Sequence, residues 1–378
     1  MEKMKLYVIS SHVDKALKED IPGSKYEITI QAGAALTDKR IAPVNDHDDF
    51  AESISDRNMR YCEATAMYWI YKHLDETEYI GISHYRRRLK LDDAELERCM
   101  DEHADLITSK SMKLNKSIRD HYCELHYGWD WKLFMDILQK SDPEYFTFYE
   151  EELNSCYIHA GNVNIYHREL YTEFCEWAFP ILEEFYRSSY EKTDIYQKRD
   201  VGFISERMAH LFIKKMERQG KKILEFPLVE YKSDVWNPAN ACDYGNVEDI
   251  LSNCNRLYRM KKIKECSHVV ALSMKKGCVT DQRMKNVSEV IAAALIEKTK
   301  LPETLHEYLP ENLRSDLFSL IQTWSEFKEI VKKLLEAENE ESTEKFKRYI
   351  LSTNFSEIAV DVAIKAVLNP DDRIEFTI

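Results

Sequence analysis

The stretch from Tyr79 to Leu89, YIGISHYRRRL, constrains the fold more than any other part of the chain. Tyr79-Ile80-Gly81-Ile82-Ser83 is a short apolar run bounded by charge, the pattern of a strand covered on both faces and therefore central in a sheet. An imidazole, a phenol and three guanidinium groups follow at once, where that strand must leave the core. Arginines in such a place need partners, so the strand end is either a set of ion pairs with the chain's many acids or a site for an anion.

The neighbouring sequence alternates strand-like and helix-like segments. Lys5 to Ser10 reads as a first strand, and Tyr26 to Ala35 as a second extended segment ending in a Gly-bearing loop. Met59, Cys62, Ala66, Trp69, Ile70 and Leu74 recur at three- and four-residue intervals, which predicts a helix over Met59–Leu74 capped by Ser53, Ser55 or Asp56. A helix feeding a buried strand is half of an α/β unit. A mainly parallel sheet with flanking helices is the expected architecture. Further strands are expected at Asp105–Thr108 and Tyr157–Tyr166, and helices around His121–Trp131, Arg168–Arg187 and Ile204–Met216. Turn formers cluster over residues 235–246, and beyond them the pattern is helical, clearest at Val287–Lys298 and Leu317–Ala337. This divides the chain into residues 1–240 and a helical C-terminal region, 241–378.

Composition limits the partners. With 53 basic and 67 acidic residues the net charge is −14, which disfavours nucleic acid but not a local groove for a small anion. No apolar run has the length of a membrane span, and the opening segment is too short for a signal peptide, so a cytoplasmic protein is expected. Nine cysteines without a C-x-x-C pair fit a reducing compartment. Cys242, Cys254, Cys266 and Cys278 recur every twelve residues, but such steps turn about 120° on a helix, so the spacing implies no shared metal site. Residues 256–285 hold nine Lys or Arg against two acids, 9 − 2 = +7. That excess is either a solvated helix face or a peripheral contact with an anionic membrane.

In open α/β sheets ligands bind outside the carboxyl ends of strands, which makes His84, Tyr85, Arg86 and Arg87 candidates by position. Arginine forks complement phosphate oxygens and can neutralise a leaving diphosphate in place of a metal. Ser53 to Asn58 leads into a helix N-terminus suited to anions, and Glu63 and Thr65, one turn on, have the chemistry to bind a sugar or base. The plainer alternative for these is an ordinary cap and a solvated face.

Four blocks, SISDRNMRYCEATAMYWIYKH, YIGISHYRR, GNVNIYHRELYTEFCEWAFPILEE and RDVGFISERM, resemble the domain of unknown function of bacterial capsular and exopolysaccharide biosynthesis proteins, described as glycosyltransferases. The likeness runs from Lys5 to Val235. It implies a GT-A-like layout, in which HYRR stands where an acidic metal-binding motif is usual. No carboxylate lies in His84–Arg88, so the resemblance implies a leaving group assisted by arginine and histidine, no required cofactor, and a doubtful place for manganese or magnesium. Ser55, Asn58, Tyr61, Glu63, Thr65, His84, Tyr85, Arg86 and Arg87 are the implied donor-binding residues, Asn162 and Arg199 the acceptor-binding ones; Gly202 and Glu206 also match. Glu52 and Ser53 replace the usual Asp-Asn, and Asn164 an aromatic, departures that bear on the donor contacts and the acceptor pocket.

Transfer also needs a base. Glu206 is the first candidate and Asp200 the second, with His84 beside the clamp; an ion pair with Arg207 or Arg199 is the structural alternative for Glu206. The function expected is transfer from a nucleoside-diphosphate sugar, a UDP-sugar foremost, to a glycan or lipid-linked saccharide. The alternative is a non-catalytic module that binds a phosphorylated ligand or assembly partner through the same arginines.

Overall fold

A computed structural model describes residues 3–41, 46–190, 192, 196–233, 250, 253–254, 257, 317–336, 363–364 and 367. In chain order the elements are β1 (Met4–Ser10), β2 (Glu27–Gln31), β3 (Asp46–His47), α1 (Asn58–Tyr61), α2 (Ala64–Lys72), β4 (Tyr79–His84), β5 (Arg87–Leu89) and α3 (Asp93–Asp101). There follow β6 (Leu106–Ser109), β7 (Met112–Lys113), α4 (Ile118–Leu125), α5 (Gly128–Ser141), α6 (Phe146–Leu153), β8 (Tyr157–Ile158) and β9 (Asn164–His167). Next come α7 (Arg168–Ser188), α8 (Asp200–Arg218), β10 (Ile223–Phe226) and β11 (Leu228–Glu230), and a helix at Leu317–Glu336.

The main sheet has the order β10-β6-β9-β4-β1-β2-β3. Along this path the strands run one way except β9, which is antiparallel to both neighbours; β5 pairs antiparallel with the end of β4, and β11 with β5. The apolar run predicted to be central is central: β4 lies between β1 and β9, and Tyr79 to Ser83 are all buried. Helices cover both faces. Ile165 joins Met4, Tyr79 and Ile107 in a cluster with Leu96, Cys99 and Met100 of α3. The next residue, Tyr166, points to the opposite face by strand alternation and stacks on Phe174 of α7, which meets Phe212 of α8 edge-on.

The chain divides into two compact units, one of residues 1–119, 134–187 and 199–236, the other of 120–133, 188–198 and 237–378. The boundary read at 240, the helix at 287–298 and the basic segment 256–285 lie outside the described residues, except for Leu257. Among the described residues no helix is long and apolar enough to cross a membrane.

The continuous helix expected over Met59–Leu74 is broken. A 3-10 turn over Ser55–Arg57 leads into the single turn α1, and Cys62 (φ 53°, ψ −130°) separates it from α2. That conformation is costly for a residue with a Cβ and persists where its surroundings dictate it. Asn58 Nδ2 donates to the Cys62 carbonyl (2.7 Å) and to Thr65 Oγ1 (2.8 Å), and the Cys62 N–H to the Asn58 carbonyl (2.8 Å). Asn58 in turn packs on Gly33 (φ 68°), where a Cβ would stand 2.7 Å from its side chain. On α8, a Cβ on Gly202 would stand 2.9 Å from Cys62 Sγ, so only glycine admits the kink this close to the helix.

The kink is anchored by a buried charge pair. Asp200, 1% exposed at the start of α8, accepts from Arg60 Nε (2.9 Å) and Nη2 (2.5 Å). Removing one partner of such a pair leaves an uncompensated buried charge. Arg60→Met is therefore expected to cost about 3–5 kcal/mol of stability, read as a fall in the urea midpoint, with Arg60→Lys recovering part of it.

Candidate functional site

The carboxyl ends of β1 and β4 lie side by side, with Ile9 opposite His84. There the arginine stretch forms a tight hairpin: β4 ends at His84, Tyr85 and Arg86 turn, and β5 returns with Arg87 opposite His84. β11 pairs with the other edge of β5, Glu230 opposite Arg87. The turn is fixed from three sides, by the Tyr85 N–H on the Ile9 carbonyl (3.0 Å), the Tyr231 N–H on the Arg86 carbonyl (2.7 Å) and Ser83 Oγ on the Arg87 carbonyl (2.8 Å).

The three arginines differ in how they are held. Arg88 donates Nε to Glu27 Oε1 (3.0 Å) and Nη1 to the carbonyls of His84 and Arg87, with its side chain 12% exposed; it braces the hairpin. Arg86 and Arg87 are held loosely. Arg86 Nη1 is 3.2 Å and Arg87 Nε 3.6 Å from Glu230 Oε1, and Arg87 Nη1 is 3.9 Å from Glu206 Oε1. Charge-assisted hydrogen bonds run at about 2.7–2.9 Å, so these are ion pairs without such a bond. Both guanidiniums remain about a quarter exposed. Carboxylates absent from His84–Arg88 thus reach the hairpin from α8 and β11.

A cluster of polar side chains adjoins Arg87. Its loop, residues 159–163, places Asn162 in the left-handed region (φ 47°) beside Gly161, which lies against the Arg87 side chain. Asn162 Nδ2 donates to Glu63 Oε1 (3.0 Å) and Ser205 Oγ (3.1 Å), which leaves its buried Oδ1 without a protein partner. Buried His84 Nε2 has none either. Arg199 Nε contacts Cys62 Sγ at 3.1 Å, at the kink that carries Glu63. Two carboxylates, Glu63 and Glu206, therefore lie in one cluster with two buried polar atoms that have no hydrogen-bond partner among the described residues.

Burial pushes His84 down to about 3, with the Arg87, Arg88 and Arg199 charges adding to it, so it is neutral at physiological pH, a hydrogen-bonding group rather than a cation. His210, buried against His159, is also pushed to about 3. Asp14, whose Oδ2 accepts from the Ser11 N–H (2.7 Å), is pushed up to about 6 by burial, against the pull of Arg86 and Arg199. The signs follow from linkage. As pH falls below about 6.5 the unfolded chain protonates the two histidines and the folded one does not, so each withdraws up to about 1.4 kcal/mol per pH unit. The folded chain protonates Asp14 first, which returns stability between about pH 6 and 3.8. Wild type is expected to lose stability on acidification from pH 6.5 to 4, and Asp14→Asn to lose it more steeply, by urea midpoints across that range.

The structure brings together His84, Arg86, Arg87, Glu206, Asn162, Glu63 and Arg199, with Tyr85 half-buried in the turn. It sets others apart. Ser55 is buried and donates to Asp48, whose carboxylate also takes the N–H groups of Gly33 and Ala34; the N-cap residues Ile54 and Arg57 make no side-chain cap, and of the expected caps it is Ser53 whose Oγ takes the Ser55 N–H at the start of the 3-10 turn (2.9 Å). Tyr61 is buried with its hydroxyl on Glu183, and Asn58 and Thr65 are spent on the kink. Asp200, sequestered by Arg60, is not placed to act as a base. Nor does Asn164 line a pocket: within β9 it bonds Thr108 and Tyr166. Glu52 binds Tyr68 and Lys72 of α2, and Ser53 the backbone of Asp48 and Ser55. Asp14 and Glu230 went unnoticed in the sequence, although the strand-end rule applied to β4 points equally to Asp14, four residues beyond β1. Among the described residues no cluster of three or more His, Cys, Asp or Glu side chains is arranged to hold a metal ion.

The profile of a family described as "Domain of unknown function (DUF4422)" matches residues 6–218, more than half of the chain. The chain belongs to that family. The matched DUF4422 region contains the hairpin, the kink and the whole of α8. Among solved structures, the ligand-free form of the bifunctional glycosyltransferase WbbM is similar, with a TM-score of 0.54 and 23% identity over 62% of this chain and 46% of that one. The DUF4422 chain thus spans under half of WbbM's length, and the likeness is one of fold. No curated protein matches.

Proposed function

We propose that this chain is a glycosyltransferase and that the carboxyl-end cluster binds a nucleoside-diphosphate sugar. The observation that carries the reading is the pair Arg86 and Arg87, loosely held at a central strand end with Glu206 within 3.9 Å. The two guanidiniums take the diphosphate oxygens, and the sugar lies toward Asn162, Glu63 and His84. Glu206 accepts the proton of an acceptor hydroxyl as that oxygen bonds to the anomeric carbon. The bond from that carbon to the diphosphate oxygen breaks, and its electron pair leaves with the diphosphate, whose charge the arginines neutralise.

A fold like that of WbbM supports a glycosyltransferase-like reading. The GT-A-like arrangement, the UDP-hexose donor and a saccharide acceptor of capsule or exopolysaccharide assembly, lipid-linked or free, rest on the sequence resemblance alone. In this reading the arginines do the work of a divalent metal, and turnover persists in excess chelator. A binding module needs the clamp alone; a carboxylate beside it favours the enzyme. Titration calorimetry with UDP, GDP, ADP and dTDP tests the reading: at least one binds, whereas silence from all four removes it.

A further inference from the structure

We propose that Glu230 is a displaceable stand-in for the donor's diphosphate and so sets the affinity of the clamp. The inference rests on the assignment of Arg86 and Arg87 to that diphosphate. A single oxygen, Glu230 Oε1, lies between the two guanidiniums, 3.2 Å from Arg86 Nη1 and 3.6 Å from Arg87 Nε. A phosphate oxygen shared by two arginines occupies the same kind of place.

Three observations set this contact apart from a structural ion pair. It carries no hydrogen bond among the described residues, at 3.2 and 3.6 Å, whereas Arg88 is hydrogen-bonded to Glu27 at 3.0 Å and Arg57 to Glu183 at 2.6 Å. The Glu230 side chain is 51% exposed, against 23% for Glu27, so it can turn to solvent without leaving a buried charge behind. Its backbone is also held independently of the carboxylate, by the β5–β11 ladder and by the Tyr231 N–H on the Arg86 carbonyl. The side chain is free to exchange while the strand stays.

An anion entering the clamp therefore displaces an anion already there. Removing the Glu230 charge should tighten binding, the opposite of the effect of a residue that organises the site. Calorimetry on the full chain with UDP and with inorganic pyrophosphate, which has no base or sugar to recognise, reads the sign directly. Glu230→Gln and Glu230→Ala are each expected to bind both probes about fivefold more tightly than wild type, the scale of a half-exposed ion pair. Glu27→Gln, which loosens the bracing Arg88, should bring no such gain. Equal or weaker binding by both Glu230 variants, with wild type binding, overturns the proposal and makes Glu230 a partner that positions the arginines. If neither wild type nor variants bind pyrophosphate or any of the four nucleoside diphosphates, the clamp assignment falls and this proposal with it.

Discussion

Replacing Arg86 and Arg87 together by alanine is expected to remove measurable nucleoside-diphosphate binding from a chain that still folds. Each hydrogen bond to a charged group contributes about 1.5–3 kcal/mol, so loss of both contacts weakens binding by a hundredfold or more. Stability should change little. Both side chains are partly exposed, and their partners, Glu230 and Glu206, stay half in water or paired with Arg207 when the guanidiniums go. Calorimetry and the urea midpoint, measured on one preparation, separate the two effects. Unchanged affinity in the folded double variant would take the hairpin out of the site. Arg88→Ala should show the reverse pattern, a loss of stability, because Arg88 ties β5 to β2 through Glu27.

The second large effect is expected at Glu206. Positioned proton transfer contributes about 10²- to 10⁴-fold to rate, and Glu206→Gln keeps the shape while removing the base. The rate of sugar transfer should fall by that factor with nucleoside-diphosphate affinity held within a few fold. Glu63→Gln is the informative comparison, because Glu63 joins the same cluster through Asn162. A full loss there, with Glu206→Gln active, would move the base to Glu63. Asp200→Asn belongs to another class: it unpairs Arg60 beside the kink and should appear in stability first.

Much of the fold was legible in the sequence because its signals are local. The apolar run before the arginines announced β4 as a buried strand, and helical spacing announced α7 and α8. The break at Cys62 was not legible: no glycine or proline marks it, and the apolar spacing of Met59 to Leu74 continues across it. What holds it comes from elsewhere in the chain, Gly33 under Asn58 and Gly202 under Cys62. The same kink involves Ser55, Asn58, Tyr61 and Thr65, which the resemblance implied as donor contacts. Polar residues mark a conformation as readily as a site, and here Ser55, Asn58 and Thr65 satisfy backbone groups around a strained turn while Tyr61 bonds Glu183. Of the carboxylates that face Arg86 and Arg87, Glu206 was named from the stretch that the resemblance singled out, whereas its pairing with Arg87, and Glu230 altogether, were hidden for a similar reason. Glu206 and Glu230 arrive on α8 and β11 only once the sheet has formed, and the sequence near His84 holds no trace of them.

The central claim is that one strand end both binds a nucleoside-diphosphate sugar and transfers its sugar. Release of nucleoside diphosphate from a panel of UDP-, GDP-, ADP- and dTDP-sugars, followed in wild type, Arg86→Ala/Arg87→Ala and Glu206→Gln, tests it most directly. Wild type is expected to release nucleoside diphosphate from at least one donor, the arginine variant to release none and to bind none, and Glu206→Gln to bind that donor without turning it over. Release that continues undiminished in both variants, or no release from any donor by wild type, would contradict it.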